Sequence, residues 1–503
     1  MTRWAWVIDQ TRCIGCHACT TACKSENDVP VGVFRTWVKN VEVGTFPEVK
    51  RHFAVLRCNH CAEPPCVEVC PVTAMYQRPD GLVDFDHDAC IGCKACMQAC
   101  PYDAIYMDPD SNTAAKCNFC SHRVDEGLLP ACVVVCPEEA LLFGDLEDPT
   151  SKVSRALKDR DVNVRRAEQG TKPHAFYIGA HDATLEPLAA RHDTTYMWAD
   201  RPARDARDRT PLPIFTGVRA EPARVAYDVP RQRAWGWPVS SYIWTKGIAA
   251  GLGMLTGVAH YTGTIAATRL LRVLSPLLAL VFLGCTGALL VGDLKRPERF
   301  WTILTRPQWR SWLARGAVII TVYAALLAAW LACSMLAFGG ALNVLAALLV
   351  IGGAFTAGYT APLLAQCEGR DLWQSRLLLP HLIVHSLLGG LAVIVLADAV
   401  AGGGASRGLA YSFVAATIVS GLLILADALK RHHTSNARAA AHTLTRGAQA
   451  RLFWISLALG VGLAIPLALS GSAWLPIAAA LALVGMWLHG HAFILAGQGP
   501  PIS

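Results

Sequence analysis

The sequence predicts two joined parts, a cysteine-rich α+β domain and, after it, an all-α bundle of eight membrane-spanning helices. Two observations predict this division. Sixteen of the 19 cysteines lie before residue 137. The second half consists of runs rich in Leu, Ala, Gly and Val of about 20 residues, each long enough to cross a hydrocarbon layer about 30 Å thick. A chain of 503 residues is also too long for a single ordinary core.

The sixteen N-terminal cysteines form four groups of four. In chain order the groups are Cys13, Cys16, Cys19 and Cys23; Cys58, Cys61, Cys66 and Cys70; Cys90, Cys93, Cys96 and Cys100; and Cys117, Cys120, Cys132 and Cys136. Short spacings place three thiolates of a group around one iron–sulfur cube, while the last cysteine, often followed by proline, serves a neighbouring cube. Pro71, Pro101 and Pro137 follow groups two, three and four, whereas Lys24 follows group one. The pattern predicts an α+β ferredoxin-like tandem 4Fe-4S domain.

Zinc is the alternative metal for so many cysteines. Structural zinc sites use Cys-x2-Cys pairs that are separated by a dozen or more residues from a second pair. Consecutive short spacings that end in Cys-Pro do not suit that arrangement, so iron–sulfur clusters are favoured. Because apolar residues between the groups are few, we expect the clusters to supply much of the folding free energy of this domain.

Four segments of this domain carry a resemblance to a known family. They are CIGCHACTTACKSEND, CNHCAEPPCVEVCPVTAMY, ACIGCKACMQACPYDAIY and KCNFCSHRVDEGLLPACVVVCP. The chain here resembles the iron–sulfur subunit of molybdopterin oxidoreductases of the dimethyl-sulfoxide-reductase and polysulfide-reductase type. The resemblance implies four 4Fe-4S clusters with the following ligands: Cys13, Cys16, Cys19 and Cys136; Cys117, Cys120, Cys132 and Cys23; Cys58, Cys61, Cys66 and Cys100; and Cys90, Cys93, Cys96 and Cys70. It also implies that the clusters built from groups one and four lie toward the membrane.

Eight apolar runs predict the membrane-spanning helices. They are 240–262, 274–292, 316–338, 343–366, 379–400, 408–428, 451–470 and 474–496. Residues 181–238, between the two parts, are rich in Arg, Asp and Pro, which predicts an irregular charged linker. The predicted domains are therefore 1–180 for electron transfer, 181–238 for the linker and 239–503 for the membrane bundle.

The basic residues of the membrane half predict its orientation. Seventeen Lys and Arg residues lie in the loops on the side of the iron–sulfur domain, and only Arg269, Arg272 and Arg407 lie in the opposite loops. The positive-inside rule therefore places the iron–sulfur domain on the cytoplasmic side of the bacterial inner membrane. The N-terminal segment has no apolar export core and no twin arginine, which leads to the same expectation. The net charge of +7 is explained by this distribution, so no nucleic-acid role is expected.

Two loop motifs of the membrane half also carry a resemblance. GDLKRPERFWTILTRPQWRSWLARGA and GYTAPLLAQCEGRDLWQSRLLLPHL are similar to the NrfD-like membrane subunit of polysulfide reductase. That family exchanges electrons with membrane quinone and carries no haem. Ionisable residues inside a bilayer are costly and are functional candidates. Those in or beside the motifs are predicted to bind quinone: Asp293, Tyr359, His381 and His385.

A structural role is the alternative for each of these four residues. Histidines near a helix end can simply reach the interface, and Asp293 can pair with Arg296 or Arg299. Asp427, His489 and His491 lie in the same half of their predicted spans and are further candidates.

The resemblances imply an electron-transfer and membrane-anchor subunit of a cytoplasm-facing molybdopterin oxidoreductase. A large catalytic subunit would carry the molybdopterin, and this chain would pass electrons through its clusters to ubiquinone or menaquinone without a site for the primary substrate. Sulfite oxidation is the first expectation, with oxidation of an organic acid, its coenzyme A thioester or formate as alternatives. The expected partners are the catalytic subunit, lipid and quinone, with a dimer of complexes also allowed. A passive anchor and an ion-translocating module remain open as other functions.

Overall fold

A computed structural model describes residues 2–192, 222–263, 270–336, 339–402 and 406–503. Within these residues the cysteine-rich domain is built from short strands and short helices that alternate with the ligand loops. The strands are β1 Trp4–Asp9, β2 Thr36–Thr45, β3 Glu48–Arg57, β4 Met75–Gln77, β5 Val83–Phe85, β6 Ile105–Met107, β7 Ala114–Lys116, β8 Leu141–Asp145, β9 Val162–Asn163, β10 Ala175–Ile178 and β11 Ala223–Tyr227. The helices of this domain are α1 Ala18–Glu26, α2 Pro65–Glu68, α3 Ala95–Ala99, α4 Ser121–Val124, α5 Ala131–Val134, α6 Lys152–Asp159 and α7 Asp182–Leu185.

The strands form two small sheets and two hairpins. One sheet has the order β8-β1-β10-β9, in which β1 is parallel to β10 and antiparallel to β8. The second sheet has the order β11-β2-β3, and the hairpins are β4-β5 and β6-β7. The hairpins follow cysteine groups two and three, which gives the internal repeat that a tandem ferredoxin-like domain requires.

Groups one and three share a ligand turn of the same shape. In Cys-Ile-Gly-Cys-His and Cys-Ile-Gly-Cys-Lys the glycines, Gly15 and Gly92, both have φ of 71°. The residues just before the following helices, His17 and Lys94, also adopt the left-handed conformation, with φ of 60° and 64°. A side chain is strained in this region of φ, whereas glycine is not. The turn places the first two cysteines of each group just before α1 or α3 begins.

The predicted linker is not irregular throughout. Strand β11, within 181–238, pairs antiparallel with β2 and completes a sheet of the iron–sulfur domain. The alternation of buried and exposed residues in β11 is short and lies in a segment rich in charged residues. Composition alone therefore predicted a connector. The predicted linker residues 193–221 lie outside the described residues.

The second half is a bundle of long helices. The helices are α8 Trp237–Tyr261, α9 Ser275–Gly292, α10 Thr302–Thr305, α11 Trp312–Met335, α12 Gly339–Gly358, α13 Thr360–Ala365, α14 Leu378–Val400, α15 Arg407–Leu429, α16 Ser435–Thr445, α17 Ala450–Leu457, α18 Ala464–Leu469 and α19 Leu475–Gly497. A π-helical segment over 458–463 joins α17 to α18. The chain is therefore a multi-pass membrane protein.

The structure supports seven of the eight predicted spanning helices by length and composition. Within the described residues, the helices long and apolar enough to cross a membrane are Arg272–Gly292, Trp312–Met335, Gly340–Ala365, Leu378–Val400, Arg407–Leu429, Ala450–Leu469 and Leu475–Gly497. These correspond to the second through eighth predicted runs. The first run coincides with α8, which is 25 residues long but carries Lys246 and several hydroxyl residues. Helix α8 packs against α9, α12 and α14, so most of its surface faces protein and need not be apolar toward lipid.

Candidate redox site

The structure places the cysteines of each implied ligand set close to one another. Cys70, Cys90, Cys93 and Cys96 line one small cavity, and Cys13, Cys16, Cys19 and Cys136 line another. Thiols of the other two sets are close neighbours: Cys58, Cys61 and Cys66 with Cys100, and Cys117, Cys120 and Cys132 with Cys23. All 19 cysteines are free of disulfides.

The surroundings of the sulfur atoms fit 4Fe-4S clusters. Backbone N–H groups donate to the sulfurs of Cys70, Cys90 and Cys136 at 3.5, 3.4 and 3.3 Å. Hydrogen bonds to ligand sulfur are a means by which proteins tune iron–sulfur clusters. Within the described residues, no three His, Cys, Asp or Glu side chains form a group suited to a single metal ion. Four thiolates that surround a cube lie farther apart than four ligands that surround a single ion.

Burial makes free thiolates unfavourable at these positions. It raises the pKa of the Cys93 and Cys117 thiols to about 12 and that of Cys100 to about 11. A thiol that coordinates a metal is deprotonated, and the favourable metal–sulfur bond offsets the loss of hydration. The ligand sets are thus suited to coordinated rather than free thiolates.

The prediction that the clusters of groups one and four lie toward the membrane is wrong. The loops of groups two and three, rather than those of groups one and four, contact the membrane half. Ser311 Oγ donates to Val69 O at 2.7 Å, and Arg299 Nη1 donates to Cys90 O at 3.0 Å. Cys16, in group one, is exposed. The internal repeat makes the two pairs of clusters alike in local sequence, so only contacts between distant segments distinguish them.

A cavity of about 230 Å³ lies where the group-three loop meets the helices. Cys93 contributes to its wall, as do Trp235, Tyr242, Asp293 and Tyr359. The remaining wall is mainly aliphatic and comes from α9, α10 and α11. Small-molecule sites commonly combine apolar walls with a few polar groups in this way. Two of the four predicted quinone residues, Asp293 and Tyr359, therefore share a cavity with Cys93 of group three.

Asp293 is paired with a residue that the sequence did not suggest. Its Oδ1 lies 2.9 Å from Lys94 Nζ, the residue directly after Cys93. The expected alternatives bind elsewhere: Arg296 Nε donates to Ser111 O, and Arg299 Nη1 donates to His87 O. Asp293 thus connects the cavity to the group-three loop.

Tyr359 contacts a lysine that sequence reasoning missed. Lys246 Nζ lies 4.2 Å from the centroid of the Tyr359 ring and donates to Ala357 O at 3.3 Å. A single lysine inside an otherwise apolar run was the available signal. Gly316 on α11 also lies against this ring, since a Cβ there would lie 2.2 Å from the Tyr359 ring. Only a residue without a side chain allows the ring this position.

The other two predicted residues, His381 and His385, lie in a different cavity. They line a space of about 50 Å³ together with His489 and Ser240. His381 and His489 are stacked at 5.2 Å, and His385 meets His381 edge-on at 4.9 Å. Within the described residues, His385 Nε2 and His489 Nδ1 have no hydrogen-bond partner. The predicted four-residue site is therefore divided between two cavities.

Asp427 and His491, two of the three further candidates, have local polar partners. Asp427 pairs with Lys430 at 2.6 Å, and Ser375 Oγ donates to Asp427 Oδ1 at 2.5 Å. His491 Nδ1 is hydrogen-bonded to Ser240 Oγ at 3.1 Å. Neither residue lines the cavity beside Cys93.

Comparison with known proteins assigns both halves. Residues 228–500 match the family described as polysulphide reductase, NrfD. Residues 6–74 and 49–146 match two families that are both described as 4Fe-4S dicluster domains.

The curated relatives match the iron–sulfur half. A tetrathionate reductase subunit of Salmonella typhimurium is 48% identical over 193 residues, which cover 38% of this chain and 77% of the relative. A putative dimethyl sulfoxide reductase iron-sulfur subunit of Halobacterium salinarum is 39% identical over 240 residues, 42% of this chain and 92% of the relative. A sulfite dehydrogenase subunit of Allochromatium vinosum is 42% identical over 200 residues, 35% of this chain and 83% of the relative.

The relatives are subunits of redox complexes, and the family match to the membrane half spans more than half of the chain. The chain therefore belongs to the polysulphide reductase NrfD family, and it joins that membrane domain to a 4Fe-4S iron–sulfur subunit in one electron-transfer and membrane-anchoring polypeptide.

Proposed function

We propose that this chain links a separate molybdopterin catalytic subunit to membrane quinone through four 4Fe-4S clusters. The observation that carries the proposal is the cavity of about 230 Å³ that places Cys93, Asp293 and Tyr359 around one space. A ligand in that space is next to a cluster-binding cysteine and to two polar side chains. The clusters, when bound, supply one-electron transfer across the domain.

The cavity offers what quinone reduction requires. Conversion of a quinone to a quinol adds two electrons and two protons, which turn the two carbonyl oxygens into hydroxyls. The Tyr359 hydroxyl can donate a hydrogen bond to one carbonyl, and Asp293 can accept and deliver protons. The Asp293 side chain is 19% exposed, so it is not fully closed off from a proton source. The aliphatic walls exclude bulk water from the ring.

The histidine cavity is assigned a different role. At about 50 Å³ it has room for water and is much smaller than the cavity of about 230 Å³ beside Cys93. His381 and His385 are therefore proposed to bind internal water beside the site rather than the quinone itself. This separates the four residues that the sequence grouped together.

The catalytic subunit is proposed to bind at the opposite end of the iron–sulfur domain. Exposed apolar side chains lie on the segments next to Cys16 and Cys136: Ile14, Leu128, Leu129, Val134 and Val135. Apolar surface of this kind commonly marks a protein contact. A partner bound there would exchange electrons with the clusters of groups one and four.

Sulfite oxidation is the first candidate for the partner's reaction. The similarity to a sulfite dehydrogenase subunit supports it. Tetrathionate and dimethyl sulfoxide reductases are named for other relatives, and oxidation of an organic acid, its coenzyme A thioester or formate is a further alternative. Purification of the complex and identification of the large chain with its metal would decide among them.

The chain is proposed to lie in the bacterial inner membrane with its iron–sulfur domain in the cytoplasm. Helix α8, at 25 residues, is about 37 Å long at 1.5 Å per residue and can serve as an eighth span. The excess of Lys and Arg in loops beside the iron–sulfur domain supports this orientation. A cysteine-labelling experiment with a membrane-impermeant reagent on intact cells and on inverted vesicles tests it.

The quinone site is tested with Tyr359→Phe in the purified complex. The clusters are reduced with dithionite, decylubiquinone is added, and re-oxidation is followed by EPR. We expect re-oxidation to slow about tenfold or more, because a buried hydrogen-bond donor to the carbonyl is lost. Tyr411→Phe, on an exposed face of α15, is the control and should behave as the wild type. Equal rates for the two variants and the wild type would favour a passive anchor.

A further inference from the structure

Lys246 is a buried cation without a carboxylate partner. It lies nine residues after the start of α8, about 14 Å along the helix axis, and is 1% exposed. Within the described residues, no Asp or Glu oxygen lies within 4.0 Å of its ammonium group. Burying an unpaired charge at such a depth costs free energy, so a lysine without a role is not expected there. The position therefore requires an explanation.

The surroundings of Lys246 match the three donors of an ammonium group. The Nζ atom donates to Ala357 O at 3.3 Å and to Thr360 Oγ1. The third direction is taken by the face of the Tyr359 ring, 4.2 Å away. All three contacts come from the junction between α12 and α13, where the helix is interrupted at Tyr359. Together they form a cation-binding arrangement, in which the aromatic face contributes through its negative quadrupole.

The Tyr359 ring contacts Lys246 and also lines the cavity beside Cys93. Tyr359 lines the cavity, whereas Lys246 does not. The ring position is further fixed by its close approach to Gly316 on α11. The titratable side chains on the cavity wall are Tyr359 from the α12–α13 junction, Tyr242 one turn before Lys246 on α8, Asp293 and Cys93. Lys246 can therefore affect a ligand in the cavity through its contact with Tyr359.

We propose that Lys246 is a positioning residue of the quinone site. It holds the Tyr359 phenol toward a quinone carbonyl, and its positive charge stabilises the negative charge that the carbonyl oxygens acquire when electrons arrive before protons. A fixed charge is effective in a site with few waters, because little solvent reorganises around it. The inference rests on the proposed function, since it concerns the same cavity.

A helix tether is the structural alternative for Lys246, because its contacts join α8 to α12 and α13. Two substitutions separate charge from bonding: Lys246→Gln keeps hydrogen-bond donors but removes the charge, and Lys246→Arg keeps the charge. Thr256→Val is the matched control on α8, because it removes a buried 3.0 Å hydrogen bond to Ser275 far from the cavity. Cluster EPR and thermal unfolding verify that each variant is assembled.

The test measures kcat and KM for decylubiquinone reduction by the purified complex. We expect Lys246→Gln to lower kcat about tenfold while KM changes less than about twofold, and Lys246→Arg to retain most of kcat. Thr256→Val should leave both constants unchanged. The inference is overturned if Lys246→Gln matches the wild type, or if it lowers stability and kcat no more than Thr256→Val does.

The same series distinguishes failure of the inference from failure of the site. If Tyr359→Phe has no effect, the cavity is not the quinone site and the inference falls with it. If Tyr359→Phe is impaired while Lys246→Gln turns over normally, the site stands and the role of Lys246 does not.

Discussion

Lys94 Nζ lies 2.9 Å from Asp293 Oδ1, and this ion pair joins the group-three cysteine loop to the end of α9. The side chains are 9% and 19% exposed, so the pair is largely removed from water. Asp293 also lines the cavity beside Cys93. One carboxylate therefore connects the ligand loop, the membrane half and the proposed quinone site.

Breaking this pair should loosen the contact between the halves. We expect Asp293→Asn or Lys94→Gln to lower the free energy of unfolding by about 1–3 kcal/mol, because each leaves a partly buried charge uncompensated. The double variant should be less destabilised than the sum of the two. Thermal unfolding in detergent measures this, and strictly additive losses would show that the two groups do not interact.

A glycine at the domain contact should not tolerate a methyl group. A Cβ on Gly369 would lie 2.6 Å from Cys100 O and 2.7 Å from Gln98 O, so Gly369→Ala must push the loop away from group three. We expect cluster re-oxidation by quinone to slow while the cluster EPR signals persist, at a stability cost of about 1–3 kcal/mol. Gly284→Ala on α9 is the control, since nothing lies within 4 Å of its Cβ position. Similar behaviour of both variants would contradict the close contact.

A buried arginine should tune one cluster. Arg57 Nη1 donates to Cys132 Sγ at 3.2 Å, and the guanidinium lies 4.3 Å from the Trp6 ring. Loss of a positive charge and a hydrogen bond at ligand sulfur favours the oxidised cluster. We expect Arg57→Met to lower one reduction potential by on the order of 50 mV, near the 59 mV that equals a tenfold change for one electron.

An EPR-monitored redox titration measures that shift. Arg57→Lys should give a smaller shift, and Arg155→Met, on an exposed residue, should give none. A raised potential in Arg57→Met would contradict the electrostatic role.

Glu368 should make stability depend on pH. Burial, and then the charges of Glu68 and Glu63, raise the pKa of this carboxyl from 4.5 to about 7. Between these values the folded protein keeps a proton that the unfolded chain releases. Stability from this group is therefore present below about pH 4.5 and declines as the pH rises toward about 7.

Glu368→Gln should flatten this dependence. Unfolding temperatures at about pH 5 and about pH 8 should differ less in the variant than in the wild type. Glu126→Gln, at an exposed carboxyl, is the control. An unchanged pH dependence in Glu368→Gln would show that the carboxyl ionises freely in the folded protein.

Much of the architecture could be predicted because it depends on local pattern. The spacing of cysteines limits which thiolates can surround one cube, and uninterrupted apolar runs determine helix positions to within a few residues. Helix α8 shows the limit of this reasoning, since a helix surrounded by protein need not be as apolar as one that faces lipid.

The rest depended on contacts between segments that are far apart in the sequence. Lys94 follows a cysteine and Asp293 follows a helix, and nothing in either neighbourhood indicates the other. His385 and Tyr359 were both predicted to lie in the half of their spans nearest the iron–sulfur domain, yet they line different cavities. The predicted orientation of the cluster array was wrong for a related reason. The local sequences of the repeated groups do not show which of them contact the membrane half.

The turn at Gly92 has a consequence for biogenesis. Its backbone shapes the group-three ligand loop, and a Cβ there would lie 2.5 Å from Lys295 Cβ in the membrane half. The group-three loop therefore both surrounds the proposed cluster and contacts the membrane half. We expect cluster insertion to precede the final contact between the two halves. Chains that receive no iron should fail to form this contact and should be removed by proteolysis.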